Sequence, residues 1–176
     1  MRSFLTAGLL WSLVSGCTAR GAEARAGTRD TIPGTPAGRF CRIDRPVDGD
    51  TFYCVGGEKV RLIGMDSPEL NQGALGQRSK AALSAMIPPG TEVRLERDVS
   101  RHDRYGRTLA YVWRDSVLIN ELMVREGWAV QYTVPPDVRH VDRFRAAERL
   151  ARQEKAGLWR EGGFVCTPSE HRKGHC

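Results

Sequence analysis

From Phe40 to Trp113 the chain runs in short stretches where apolar and polar residues tend to alternate, and this period-two pattern constrains the fold more than any other feature. The apolar positions are Ile43, Val47, Phe52 and Val55, then Val60 and Leu62, then Val93 and Leu95, then Leu109, Tyr111 and Trp113. That spacing predicts about five strands. An Ala-rich stretch from Gln77 to Met86 predicts a helix after the third strand, stopped by Pro88-Pro89-Gly90. A second short helix is predicted over Ile119 to Glu126, ended by Gly127. A third is predicted over Val138 to Leu158, where Phe144, Ala147, Leu150, Ala151 and Leu158 line one face and Arg145, Arg149 and Arg152 another.

Five strands, one helix inserted after the third and two more at the end suit an α+β, mainly β, fold. The architecture expected is a five-stranded Greek-key barrel of the oligonucleotide-binding type with three helices. At 176 residues and 40% hydrophobic, the chain suits one compact core with tails rather than a large multidomain enzyme. Lys and Arg number 27 against 21 acidic residues, a net charge of +6. All but Lys59, Lys80, Lys155 and Lys173 of these cations are Arg, whose planar fork grips phosphate through paired hydrogen bonds. A polyanionic partner fits this balance, although an Arg-rich genome would give the same composition.

The first 16 residues carry Arg2 and then an apolar run from Phe4 through Val14, too short for a stable spanning helix. This is read as a secretory signal. Val14-Ser15-Gly16-Cys17 resembles a bacterial lipoprotein box, with cleavage before Cys17 and lipid on its thiol; cleavage after Ala22, Ala24 or Ala26 would instead remove Cys17. Residues 17–38, without a hydrophobic period, are read as a tether. The expected location is therefore exported, as a cell-envelope lipoprotein or a secreted or periplasmic protein, with membrane contact only through lipid at Cys17. Cys41, Cys54, Cys166 and Cys176 remain, and four cysteines allow three pairings. A tight turn at Val47-Asp48-Gly49-Asp50 would set Cys41 nearly opposite Cys54 and leave Cys166 for Cys176. His171, His175 and Cys176 in the tail, residues 161–176, are metal-ligand types, but a disulfide accounts for Cys176 more simply.

Asp48-Gly49-Asp50-Thr51 is by itself a common hairpin turn. Arg61-Leu62-Ile63-Gly64-Met65-Asp66-Ser67-Pro68-Glu69 adds a cation and then two carboxylates three residues apart, entering a Pro-bearing turn. A curled sheet can bring Asp50 and Asp66 together, and hard oxygens of that kind suit calcium or magnesium. Asp103-Arg104-Tyr105-Gly106-Arg107 leads into the strand Thr108 to Trp113, so that Arg107 can point at the barrel mouth. Two arginines, a metal-binding pair and a spare carboxylate are the parts of a phosphodiester site.

Together these motifs resemble the staphylococcal nuclease (thermonuclease) family. The resemblance covers residues 39–160 and extends to Asn120-Glu121-Leu122, Val124-Arg125-Glu126-Gly127 and Lys155-Ala156-Gly157-Leu158-Trp159. It implies a calcium-dependent endonuclease that cuts single- and double-stranded DNA and RNA with low sequence specificity as a monomer, leaving 3'-phosphate and 5'-hydroxyl ends. By position it makes Asp50, Asp66 and the Ser67 carbonyl calcium ligands, Glu69 the general base, and Arg61 and Arg107 the phosphate clamp. Tyr105 and Tyr132 would contact substrate. Ser67 replaces a Thr of the type member, the segment after Glu69 is about five residues shorter, removing a basic loop, and a second base-stacking tyrosine is missing. Trp113, Trp128 and Trp159 are read as packing residues. Two other readings are a catalytically inactive nucleic-acid-binding module of the same fold and a basic structural protein of the envelope; neither calls for the complete set of five polar residues.

Overall fold

A computed structural model describes residues 38–176. The signal segment, Cys17 and the tether up to residue 37 lie outside the described residues; Gly38 already belongs to the first strand. Strand β1 (Gly38–Pro46) turns through Val47 to Asp50 into β2 (Thr51–Cys54), with Pro46 opposite Phe52 and Ile43 opposite Cys54. Strand β3 (Lys59–Leu62) adds antiparallel to β2, and β4 (Met65–Asp66) follows. On the other side of β1 lies β5 (Glu92–Glu96), which pairs antiparallel with β6 (Thr108–Arg114). Parallel pairing of β3 with β6, Arg61 beside Leu109, closes these strands into a five-stranded barrel. Two short strands follow: β7 (Val117–Leu118) folds back antiparallel on the end of β6, and β8 (Val130–Gln131) pairs with β4.

The alternation predicts the core well. Ile43, Phe52, Val60, Leu62, Val93 and Leu95 are buried. Val55 departs from it, since it lies in the turn after β2 and is 64% exposed, and in β6 the buried run is Ala110, Tyr111 and Val112, whereas Leu109 and Trp113, like Val47, are only half-buried.

Helix α1 (Ala74–Met86) begins three residues earlier than predicted, because a 3-10 turn over Leu70–Gln72 and the positive φ of Gly73 (67°) deliver the chain straight into it. Helix α2 (Ile119–Arg125) agrees with the sequence to one residue. Helix α3 (Val141–Gln153) is shorter than predicted at both ends. Val138 is an exposed loop residue, and beyond Gln153 the positive φ of Lys155 (52°) and Gly157 (49°) breaks the helix. Leu158 reaches burial from a separate 3-10 turn, Gly157–Glu161, where it packs with Val130 and Phe164. Leu150 is largely exposed, which leaves Phe144, Ala147 and Ala151 as the buried face. To the three helices expected, the tail adds a fourth, α4 (Pro168–Arg172).

Helices α1, α2 and α3 cover one side of the main core through Leu83, Met123, Val124, Phe144 and Ala147. Fully buried Asn120 ties α2 to the barrel: it accepts from Val112 N at 2.8 Å and donates to the carbonyls of Ile63 (2.8 Å) and Ala110 (3.1 Å). Trp113 and Trp128 pack against the main core, and Trp159 lies against Phe164 with ring centroids 4.6 Å apart. Disulfides join Cys41 to Cys54 and Cys166 to Cys176, with Cα separations of 5.8 and 5.9 Å.

Candidate active site

Strand register determines which side chains meet. Thr51 stands opposite Arg61 on β3, so Asp50, at the hairpin tip, lies beside the same cation. Gly49 is needed there: a Cβ on it would come within 2.0 Å of the Ser79 hydroxyl and 2.8 Å of Ser67 Cβ. Asp50 is 2% exposed. Its Oδ2 accepts from Ser67 N at 3.0 Å and the Ser67 hydroxyl at 2.8 Å, and its Oδ1 accepts from the Thr51 hydroxyl at 2.9 Å. Arg61 pairs with Asp50 through one nitrogen and donates through the other to Asp66 Oδ1 at 2.8 Å. Burial opposes ionisation of Asp50, but the Arg61 charge and the Ser67 hydrogen bonds outweigh it and hold the carboxyl below its ordinary value. Burial likewise works against the charge on Arg61, and Asp50 and Asp66 more than offset it.

Asp48, read from sequence only as part of a turn, is a third carboxylate here. Its Oδ1 accepts from Asp50 N at 3.0 Å and it lines the cleft. Burial and the neighbouring Asp50 charge push its carboxyl up to about 7.

Glu69 opens the 3-10 turn, donating its N–H to Gln72 Oε1 at 2.8 Å. Gly76 of α1 packs so closely on this turn that a Cβ would stand 2.1 Å from the Glu69 carbonyl oxygen, which makes α1 the floor of the Glu69 loop. Arg107 immediately precedes β6, in a loop that turns at Gly106 (φ 76°). Asp103 holds it, accepting from Arg107 Nε at 2.6 Å and from Arg107 N at 3.0 Å, while Arg107 Nη1 reaches the Thr51 hydroxyl at 3.5 Å. Arg107 thus joins Asp50 through Thr51.

A cleft of about 730 Å³ opens over this cluster, lined by Asp48, Arg61, Glu69 and Arg107 together with Lys59, Tyr105 and Tyr132. Tyr105 is 68% exposed, with the guanidinium carbons of Arg104 and Arg107 at 4.8 and 5.5 Å from its ring centre. Asp66 is fully buried beneath the cleft. The structure therefore brings Asp50, Arg61, Asp66, Ser67, Glu69 and Arg107 into one place, and both tyrosines line the cleft above it.

The tail also enters the cleft. Arg172 of α4 donates to Asp66 Oδ2 at 2.7 Å and to Glu69 Oε1 at 2.7 Å, which sets those two carboxylates within one guanidinium's span. Sequence reasoning missed Arg172, which stands between His171 and Lys173 in a polar tail with no local pattern to mark it out from them. The tail histidines do not cluster: His171 Nε2 lies 3.1 Å from Asn71 Oδ1, and His175 Nδ1 lies 2.8 Å from Glu170.

Among the described residues no three His, Cys, Asp or Glu side chains stand together as a ready metal cluster. The donors present are nevertheless hard oxygens: two buried carboxylates whose negative charge is at present balanced by Arg61 and Arg172. That set of donors fits a hard, partly hydrated divalent cation such as calcium.

The family described as "Staphylococcal nuclease homologue" matches residues 59–161. The chain is 33% identical over 133 residues to "Endonuclease YncB" of Bacillus subtilis (strain 168), covering 70% of this chain and 63% of that protein. To the "Thermonuclease" of Staphylococcus hyicus it is 33% identical over 125 residues, covering 67% of this chain and 74% of that one. An "Uncharacterized endonuclease" of Haemophilus influenzae is 37% identical over 137 residues, covering 76% and 72%. The chain thus spans less than two thirds of the Bacillus enzyme's length.

Proposed function

The chain belongs to the staphylococcal nuclease family, and from that premise we propose that it is a calcium-dependent endonuclease that hydrolyses DNA and RNA with little sequence preference. The observation that carries this reading is the convergence of three separate segments, which line one open cleft with Arg61, Glu69 and Arg107 and pair the buried Asp50 and Asp66 with Arg61.

Asp50, Asp66 and the Ser67 carbonyl would hold calcium. When bound, the ion supplies a fixed positive charge beside the phosphate and orders water near it. Glu69 takes a proton from the attacking water as the new P–O bond forms, and the bond from phosphorus to the 5'-oxygen breaks. The 5'-oxygen takes a proton from solvent water as it leaves and departs as a hydroxyl, Glu69 returns its proton to solvent, and the 3' end keeps the phosphate. Arg61 and Arg107 grip the non-bridging oxygens and count for more as charge grows on them in the five-coordinate transition state. Lys59 and the exposed Tyr105 and Tyr132 offer charge and ring faces that any base or phosphate can use, which favours low sequence specificity over base readout. Single- and double-stranded nucleic acids are both substrates on this reading, and the enzyme acts as a monomer. Its two disulfides support an exported protein, held to a membrane, if at all, by lipid on Cys17.

Replacing Glu69 with Gln tests the chemistry. Turnover of a single-stranded oligonucleotide in calcium is expected to fall by about 10²- to 10⁴-fold. The variant should bind substrate and fold as before, because Glu69 is a partly exposed loop residue. A variant as fast as the parent would remove Glu69 from the mechanism.

A further inference from the structure

Arg172 has no part in the chemistry above, yet it fills the centre of the site. One of its nitrogens, Nη2, donates to Asp66 Oδ2 at 2.7 Å. The other, Nη1, is shared between Asp66 Oδ1 at 3.1 Å and Glu69 Oε1 at 2.7 Å. A single planar fork thus engages both oxygens of a buried carboxylate and one oxygen of Glu69. These are the atoms that, on the proposed function, must face a cation and a water proton. A guanidinium and a dication cannot occupy the same lone pairs, and at contact distance they repel.

The tail is built to deliver this side chain and to let it go. Its root is fixed: Phe164 is buried beside Leu158, and the Cys166–Cys176 bond closes the chain that follows into a loop. Within the loop Thr167 caps α4, accepting from Glu170 N at 3.3 Å. The loop docks on the turn that carries Glu69, where Gln72 Nε2 donates to the Cys166 carbonyl at 3.5 Å and His171 meets Asn71. Of the residues in α4 only Pro168 is buried, and apart from the pair of Arg172 with buried Asp66 the contacts of α4 are polar and partly exposed. Segments with few buried contacts open at small cost. An ordinary surface ion pair has both partners in water, whereas here Asp66 is fully buried and Arg172 is 39% exposed.

We infer that residues 166–176 act as a tethered plug whose Arg172 takes the cation's place between Asp66 and Glu69, so that the tail and calcium displace one another. The tail then sets the calcium concentration at which the cleft becomes competent. By linkage, calcium releases Arg172 by the same factor by which Arg172 weakens calcium. This rests on the calcium-nuclease reading.

The test is calorimetric titration of CaCl2 into the full chain and its variants, a readout that needs no turnover. If the plug occupies nine molecules in ten, the apparent dissociation constant is about tenfold above that of the open cleft. Arg172→Ala is therefore expected to bind calcium about tenfold more tightly. The double variant Cys166→Ser/Cys176→Ser keeps Arg172 but frees the loop, and should shift affinity in the same direction. Lys173→Ala, which removes a neighbouring charge exposed to solvent, should change affinity by less than about twofold because water and salt screen it. Asp66→Asn, by contrast, should lose calcium. Equal affinity in the parent and Arg172→Ala, or a gain that Lys173→Ala reproduces, overturns the plug; loss of binding in Asp66→Asn then leaves the calcium site standing. If neither the parent nor Arg172→Ala binds calcium, the calcium reading fails and the plug falls with it.

Discussion

At the scale of single residues, the site depends on guanidinium geometry. Arg61 bridges Asp50 and Asp66, and Arg107 is held along one edge by Asp103, which keeps both forks oriented before substrate arrives. Lys at either position keeps the charge but loses the planar pair of donors. Arg61→Lys and Arg107→Lys are each expected to lower kcat/KM by about 10- to 100-fold, or about 1.4–2.7 kcal/mol of transition-state stabilisation. Initial-rate kinetics on one oligonucleotide decides this, and full activity in both variants would remove the clamp. Most of these residues were legible in the sequence because they sit in short, local motifs at strand ends. Asp48 was visible but read as turn chemistry, since an Asp-Gly pair forms a hairpin whether or not its carboxylate does anything else. Arg172 was not legible at all: its partners lie 106 and 103 positions away, a relation no periodicity encodes.

At the scale of elements, Glu96 shows how the helices are docked. This fully buried carboxylate at the end of β5 accepts from Trp113 Nε1 on β6 at 2.6 Å and from Arg139, just before α3, at 2.9 Å, with His140 Nε2 at 3.2 Å. Burial opposes its ionisation, but the hydrogen bonds from Arg139 and Trp113 and the neighbouring His140 outweigh it and hold its carboxyl below the ordinary value. A depressed folded-state pKa gives stability that is complete above the unfolded-state value, near 4.5, and is lost as pH falls through the folded-state value. Glu96→Gln should therefore cost about 1–3 kcal/mol at pH 7, by leaving charged and buried donors poorly matched. Denaturant melts across pH should show that gap closing below about pH 4.5; a gap independent of pH would mean that the charge contributes nothing. Strand positions were readable because alternation follows directly from one buried face. The limits of α3 were not: Leu150 and Leu158 extend its apolar count, yet one faces water and the other is reached only after the backbone turns at Lys155.

At the scale of the whole molecule, barrel closure turns three distant motifs into one site. Pairing of β3 with β6 carries Arg107 toward Arg61, the β1–β2 hairpin brings Asp50 to the same end, and α1 supports the loop bearing Glu69. The barrel was predictable from five alternating stretches and one inserted helix, and the two disulfides from the hairpin that pairs Cys41 with Cys54. The tail's return to the cleft was not, because it depends on a docking of polar surfaces that leaves no hydrophobic pattern. The net charge of +6 suits a polyanionic substrate, but only the cleft chemistry separates cutting from binding. The most direct measurement is the initial rate of cleavage of a single-stranded DNA oligonucleotide by the full chain, in calcium and in excess chelator, with the product ends identified by mass. The account predicts cleavage in calcium that leaves 3'-phosphate ends and none in chelator; undiminished cleavage in chelator would contradict it.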